Sequence, residues 1–107
     1  MFEIGFFDES ALESYESLSV DLRAKAQRLF SLLELYGNEV KEPHSKFLSN
    51  GLFELRIKGK DNIARLLYAF GNDKRIYILH AFIKKTQRTP KKELEIAYKK
   101  LKELHNA

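Results

Sequence analysis

Two turn signals in the second half of the chain constrain the fold more than any other feature. The segments Gly-Lys-Asp-Asn at residues 59–62 and Gly-Asn-Asp-Lys at residues 71–74 separate three largely apolar runs at 52–58, 63–70 and 75–83. Loops of this length and composition between β-favouring runs are typical of hairpins. The pattern therefore predicts a meander of three antiparallel strands.

The first half of the chain predicts one strand followed by helices. Apolar side chains alternate with polar or small ones over residues 2–6, which indicates a half-buried strand. Asp8 and Ser19 are predicted N-caps, either of two helices or of one bent helix. Gly37, which readily adopts a left-handed conformation, is predicted to end the helical segment. Residues 38–50, which include His44 and Lys46, are predicted to form an irregular connection.

A last helix is predicted to begin at Thr89 and Pro90, with an apolar stripe that ends near Leu104. The whole order predicts an α+β fold in which two N-terminal helices cover one face of a mostly antiparallel sheet. A chain of 107 residues corresponds to a single domain, 1–107.

The composition excludes several kinds of chemistry. The chain contains no cysteine, so it has no disulfides, no thiolate metal site and no cysteine nucleophile. The apolar N-terminal residues lack a basic leader, and no apolar run reaches membrane-spanning length, so we expect a cytoplasmic protein. We expect no cofactor and no metal.

Charge is distributed unevenly along the chain. Residues 1–42 carry a net charge of −5, whereas residues 43–83 carry +4 and residues 84–107 carry +5. A basic surface concentrates polyanions such as nucleic acids, while an acidic surface repels them. The two halves are therefore predicted to meet different partners.

Simple pairing of the two hairpins predicts which side chains share a face of the sheet. Arg56 is expected directly opposite Arg65, and Arg65 directly opposite His80. The face under the first two helices is expected to carry Phe53, Leu55, Ile57, Ala64, Leu66, Tyr68, Tyr77, Leu79 and Ala81. The other face is expected to carry the basic row together with Leu67, Ile78 and Phe82, partly covered by the last helix or by a partner.

A row of like charges across a sheet requires compensation. Like charges directly opposite one another cost about 0.2–1 kcal/mol, and arginine cannot lose its proton to relieve the repulsion. Glu54, diagonal to Arg65, would supply compensation in a structural salt-bridge cluster. Alternatively, the row binds an anion such as a phosphodiester, which guanidinium groups contact bidentately. Both interpretations are compatible with the sequence.

Four segments in this order resemble one protein family. They are GLFELR at 51–56, ARLLY at 64–68, HAFIKKT at 80–86 and TPKKELEIA at 89–97. Together they resemble the HigB branch of the RelE/ParE-type toxins, the phage-derived Gp49-like group. The resemblance implies a RelE-like fold and a type II toxin that cleaves messenger RNA, usually on the ribosome. It also implies a helix-turn-helix, HigA-like antitoxin as partner in a hetero-oligomer.

The resemblance also implies roles for individual residues. Arg56 and Arg65 match basic positions that contact the scissile phosphate in ribonuclease members, and Lys84 or Lys85 matches a basic position after the last strand. Glu54 stands where the RelE type has a lysine, and the tyrosine expected at the start of the last helix is missing.

Metal-independent RNA cleavage by the 2′-OH needs cations, a base and an acid. The predicted catalytic residues are Arg56, Arg65 and Lys85 for charge stabilisation, and Glu54 and His80 for proton transfer. A neighbouring Arg65 would keep His80 neutral and able to accept a proton. Predicted RNA contacts are Lys46, Lys58, Lys84, Lys91 and Lys92. Two other functions fit the same residues: a ParE-like inhibitor of DNA gyrase, and a non-catalytic module that binds nucleic acid or another partner.

Overall fold

A computed structural model describes residues 1–106, so Ala107, the last residue of the predicted domain, lies outside the described residues. The elements in chain order are β1 (Glu3–Phe6), α1 (Glu9–Glu16), α2 (Val20–Tyr36), β2 (Ser45–Ser49), β3 (Leu52–Lys58), β4 (Ile63–Phe70), β5 (Arg75–Lys84) and α3 (Lys91–His105). A short 3-10 turn, Gly37–Glu39, follows α2. The α+β prediction is confirmed.

The five strands form one mixed sheet in the order β1-β5-β4-β3-β2. β1 lies parallel to β5, and the other three pairings are antiparallel. The predicted irregular connection over 38–50 is therefore wrong in its second half, because Ser45–Ser49 forms the edge strand β2. This strand has little apolar alternation of its own, and its backbone is ordered by pairing with β3.

Local signals set the helix boundaries. The Asp8 carboxylate accepts a hydrogen bond from the Ala11 N–H at 2.9 Å, and the Ser19 hydroxyl accepts one from the Leu22 N–H at 3.2 Å. Each side chain satisfies one of the free N–H groups at a helix start. α1 and α2 are therefore two helices, with the break between Glu16 and Val20. Gly37 ends α2 with a positive φ of 52°.

The sheet is covered on both faces. On the first face, α1 and α2 pack over a cluster that includes Leu22, Leu33, Leu55, Leu66 and Tyr68. On the second face, α3 packs through Ala97 and Leu101 over Leu52, Leu67, Ala69, Leu79 and Phe82. The second face is therefore apolar beneath Ala97 and Leu101, and its polar groups include residues near the start of α3.

The register of the first hairpin is confirmed, because Arg56 pairs with Arg65 and Phe53 with Tyr68. The register predicted for the second hairpin is wrong. Arg65 pairs with Phe82, and His80 pairs with Leu67. The loop after β4 holds Asp73 and Lys74 with positive φ, so that Phe70 pairs with Ile76. A second shift between Leu67 and Tyr68 then offsets β5 by one more residue.

The two shifts have opposite effects on the faces of β5. The shift at the loop after β4 moves Tyr77 and Leu79 to the second face of the sheet and Ile78 to the first face, contrary to the prediction. The shift between Leu67 and Tyr68 is a β-bulge, in which two consecutive residues of β5 lie opposite a single residue of β4. Beyond the bulge, the side chains of β5 return to the predicted faces. Ala81 consequently lies on the first face and Phe82 on the second, both as predicted.

Lys100 anchors α3 to the start of α1. Its side chain is buried, and its ammonium donates to Asp8 Oδ1 at 3.0 Å, Ser10 Oγ at 2.6 Å and the Leu79 carbonyl at 3.0 Å. The Asp8 carboxylate, although burial opposes its charge, has its pKa lowered by the Ala11 N–H and by Lys100. One buried cation thus connects α3 to the start of α1 and to β5.

Replacing this lysine should destabilise the fold. Lys100→Met keeps the stem but leaves the Leu79 carbonyl without its partner, so we expect the free energy of unfolding to fall by about 1–3 kcal/mol. Urea denaturation measures the change. The exposed neighbour provides the control, since Lys99→Met should stay within about 0.5 kcal/mol of wild type. Equal stability of the two variants would contradict the anchoring role.

Candidate functional site

The second face of the sheet carries two arginines side by side. Arg56 of β3 and Arg65 of β4 are direct cross-strand neighbours, with Arg65 nearly buried and Arg56 about one-third exposed. Glu54 lies between them: its Oε1 is 3.3 Å from Arg56 Nε and 3.5 Å from Arg65 Nε. The carboxylate compensates the repulsion that the pairing of the arginines creates.

Glu54 is itself buried, with 2% of its surface exposed. Its second oxygen, Oε2, accepts a hydrogen bond from the Thr89 hydroxyl at 2.8 Å. Thr89 lies in the loop before α3, so this bond ties the loop to β3. Because both carboxylate oxygens already have partners, the position of Glu54 fits a structural anion better than a proton carrier.

Arg65 retains binding capacity despite this contact. Its Nη1 donates to the Ala64 carbonyl at 3.2 Å, but its Nε has no hydrogen-bond partner among the described residues. The 3.5 Å approach to Glu54 is an ion pair without hydrogen-bond geometry. Burial lowers the pKa of Arg65, Glu54 opposes that shift and Arg56 adds to it. Because Nε is itself buried, an anion from solvent would contact the Nη end of this guanidinium.

Lys84 completes the group of cations at the end of β5. Burial lowers the pKa of its ammonium, and Arg65 lowers it further, with smaller effects of Glu54, Arg56 and Lys46. Lys84 and Lys85 line a depression of about 510 Å³ together with Arg65, Ile63, Thr86 and Gln87. We call Glu54, Arg56, Arg65 and Lys84 the arginine cluster.

His80 lies on the same face but has a different neighbour from the predicted one. Its Nε2 is 3.1 Å from Glu93 Oε1 in the first turn of α3, and its ring stacks on Phe82 at 5.9 Å between centroids. Since Arg65 is opposite Phe82, the expected direct opposition of Arg65 and His80 is wrong. A carboxylate on one ring nitrogen fixes the orientation and the tautomer of a histidine.

The predicted RNA contacts are dispersed. In the backbone register, Lys46 of β2 lies opposite Glu54 of β3, and Lys58 of β3 lies opposite Ile63 of β4, beside the arginine cluster. Lys91 and Lys92 are exposed at the start of α3, in the same turn as Glu93. The two sheet lysines thus adjoin the arginine cluster, whereas the two helix lysines lie on the side of His80.

Two residues of the site, Thr89 and Glu93, are absent from the sequence-based candidates. Thr89 suggested only a helix start, and Glu93 is one of several charged residues in α3. Thr89 contacts Glu54, which is 35 positions away in the chain, and Glu93 contacts His80, which is 13 positions away. Only the packing of α3 on the sheet reveals them.

Glu54 carries a testable structural role. Glu54→Gln removes the charge that balances Arg56 and Arg65, so we expect the free energy of unfolding to fall by about 1–3 kcal/mol in urea denaturation. Glu42→Gln is the matched control, because Glu42 also contacts Arg56, at 3.4 Å, but is 65% exposed. Its expected effect is below about 1 kcal/mol. If Glu54→Gln had the same free energy of unfolding as wild type, Glu54 would be excluded as the compensating anion.

Within residues 1–106, no group of three His, Asp or Glu side chains is placed to hold a metal ion. Nor is any of the helices in that range both long and apolar enough to cross a membrane. The cluster offers guanidinium and ammonium donors, which bind phosphate oxygens directly.

Comparison with known proteins identifies a family for most of the chain. A family model described as phage derived protein Gp49-like matches residues 13–102, which is most of the chain. No curated protein matches it. The matched range includes the arginine cluster, His80 and Glu93.

Proposed function

Because the chain belongs to the phage-derived Gp49-like family, which is the HigB/RelE-like toxin group, we propose that it is a ribonuclease toxin with a RelE-like fold. It cleaves messenger RNA on the ribosome without a metal ion. The observation that carries the proposal is the grouping of Arg56, Arg65 and Lys84 around the buried carboxylate of Glu54. Three cations served by one buried carboxylate provide a binding site for a phosphodiester.

The reaction uses the 2′-OH of the substrate as nucleophile. A base removes its proton, the 2′-oxygen attacks phosphorus, and the bond to the 5′-oxygen breaks as an acid protonates that oxygen. The products are a 2′,3′-cyclic phosphate and a 5′-hydroxyl. Arg56 and Arg65 stabilise the negative charge that builds on the phosphoryl oxygens during attack.

His80 is the residue that we assign as the base. In its neutral form it accepts the 2′-OH proton, and Glu93, 3.1 Å from Nε2, stabilises the imidazolium that results. The other ring nitrogen, Nδ1, has no hydrogen-bond partner within the described part of the chain. It is therefore available to the substrate.

Lys84 is the residue that we assign as the acid. A lowered pKa makes the ammonium a better proton donor, and Lys84 and His80 stand four residues apart on β5, about 13 Å between Cα atoms. Arg65 lies across from Phe82, midway between them. A phosphate on Arg65 would thus have the base on one side and the acid on the other, as in-line displacement requires.

A toxin of this family implies an antitoxin, and we propose a HigA-like helix-turn-helix protein in a hetero-oligomer with this chain in the cytoplasm. The acidic segment of residues 1–42 provides one surface for it. It carries a net charge of −5 over residues 1–42, whereas the candidate site is basic. The two surfaces differ in sign, so that RNA and antitoxin need not share the same contacts.

Mapping of RNA ends after induction tests the function. Cells that express the wild-type chain should accumulate messenger RNA with new 5′-hydroxyl ends inside coding regions, and cells that express Arg65→Ala should not. Breaks in DNA with intact transcripts would instead identify a gyrase inhibitor. Intact RNA and DNA, with RNA bound, would identify a non-catalytic module.

A further inference from the structure

A second basic surface adjoins the arginine cluster at the open edge of β3. β2 pairs with β3 only as far as Leu55, and beyond that point the Arg56 N–H bonds the His44 carbonyl at 2.8 Å. A groove of about 460 Å³ runs from there to α2. Its volume is within the range of ligand-binding clefts.

The groove has an apolar floor and a cationic rim. Its apolar lining, which we call the floor, comes from Leu29, Ile57 and Ile63, and its cationic lining, which we call the rim, comes from Lys25, Arg28 and Lys58. Arg56 and Arg65 of the arginine cluster also line it. None of the described residues that line it is acidic. Three carboxylates contact its lining residues: Asp21 is 3.8 Å from Lys25 Nζ, Glu42 is 3.4 Å from Arg56 Nη1, and the buried Glu54 contacts both Arg56 and Arg65.

This composition matches one kind of ligand. An apolar floor accepts the face of a base or ribose, and a cationic rim accepts the phosphate attached to it. A base can reach such a floor only when it is unstacked, as in a single strand. A duplex would offer its phosphates to the rim but would keep its bases away from the floor.

We propose that this groove is a subsite for single-stranded RNA, which holds the nucleotide next to the scissile phosphate. The inference rests on the proposed function, because Arg56 and Arg65 belong to both sites and make the groove continuous with the phosphate position. Arg28 is the rim residue that probes the groove separately from the arginine cluster, because it lies on α2 and not on the sheet. It is exposed, and no described carboxylate lies within salt-bridge distance of it.

Charge reversal in the groove provides the test. The probe is a short fluorescent single-stranded RNA whose riboses are all 2′-O-methylated, so that it binds without being cut. Fluorescence anisotropy with the full chain should show binding about tenfold weaker for Arg28→Glu than for wild type. The dependence of log affinity on log salt concentration should also become shallower, by about 0.7 for each phosphate that the groove no longer neutralises.

The control is Lys99→Glu, which makes the same kind of charge reversal at an exposed position on α3. It should bind the probe as tightly as wild type does. A second arm uses a 2′-O-methylated duplex of the same sequence, for which Arg28→Glu should have a smaller effect. An equal decrease in affinity for duplex and single strand would mean that Arg28 attracts any polyanion through its charge. That result would overturn the proposal of a subsite for single-stranded RNA.

Cleavage of unmodified messenger RNA on purified ribosomes by the same preparations separates the two proposals. If wild type cleaves RNA but Arg28→Glu binds the probe like Lys99→Glu, the groove proposal is wrong and the nuclease stands. If the probe binds through the groove and nothing is cut, the subsite is supported and the nuclease is wrong. If Arg28→Glu weakens only the complex with the antitoxin, the groove is a protein interface and the RNA subsite is overturned.

Discussion

His80→Ala is expected to slow RNA cleavage by about 10²- to 10⁴-fold, the range that a general base contributes. The imidazole is held by Glu93 on one side and by the Phe82 ring on the other, so its Nδ1 has a defined direction. Alanine removes the proton acceptor and leaves the cations in place. Binding of uncleavable RNA should therefore change far less than the rate constant for single-turnover cleavage of ribosome-bound messenger RNA.

Added imidazole distinguishes a base from a structural histidine. If His80 only packs against Phe82, free imidazole will not restore the activity of His80→Ala, whereas a missing base can be replaced in part from solution. The cleavage rate of Glu93→Gln should lie between those of wild type and His80→Ala, because this variant retains the His80 imidazole but holds it less firmly in its orientation. Cleavage by His80→Ala at the wild-type rate would remove this residue from the mechanism.

Arg65→Ala carries the second large effect. We expect the cleavage rate to fall by about 10²- to 10³-fold, since a donor directed at the developing phosphoryl charge in a partly buried site contributes that much. Arg65→Lys should recover only part of this rate. It keeps the charge but lacks the planar fork that contacts two phosphate oxygens.

Arg75→Ala is the matched control. Arg75 is also an arginine on a strand, but it is exposed at the start of β5, at the opposite end from Lys84. It should leave cleavage unchanged. Thermal unfolding and antitoxin binding of Arg65→Ala must be close to wild type, because Glu54 keeps Arg56 and Thr89 as partners. Full activity of a folded Arg65→Ala would refute the phosphate site.

The accuracy of the sequence-based predictions depended on the range of the interactions involved. Asp8 and Ser19 cap helices through bonds to residues three positions on, so both caps were predictable. The first hairpin was predictable for the same reason, and with it the opposition of Arg56 and Arg65. The second hairpin failed at two one-residue shifts, a loop with positive φ at Asp73 and Lys74 and a bulge on β5. Neither is visible in the apolar pattern of the sequence.

The sequence by itself determined the helices, the meander and the pair of arginines, because caps, turns and hairpin pairing act between residues close in the chain. Only the tertiary structure decided that β2 closes the sheet edge, that Glu93 holds His80, that Thr89 holds Glu54 and that Lys100 is buried. These contacts join distant segments. They form because buried polar groups must find partners wherever packing places them, and the packing of α3 on the sheet sets those positions.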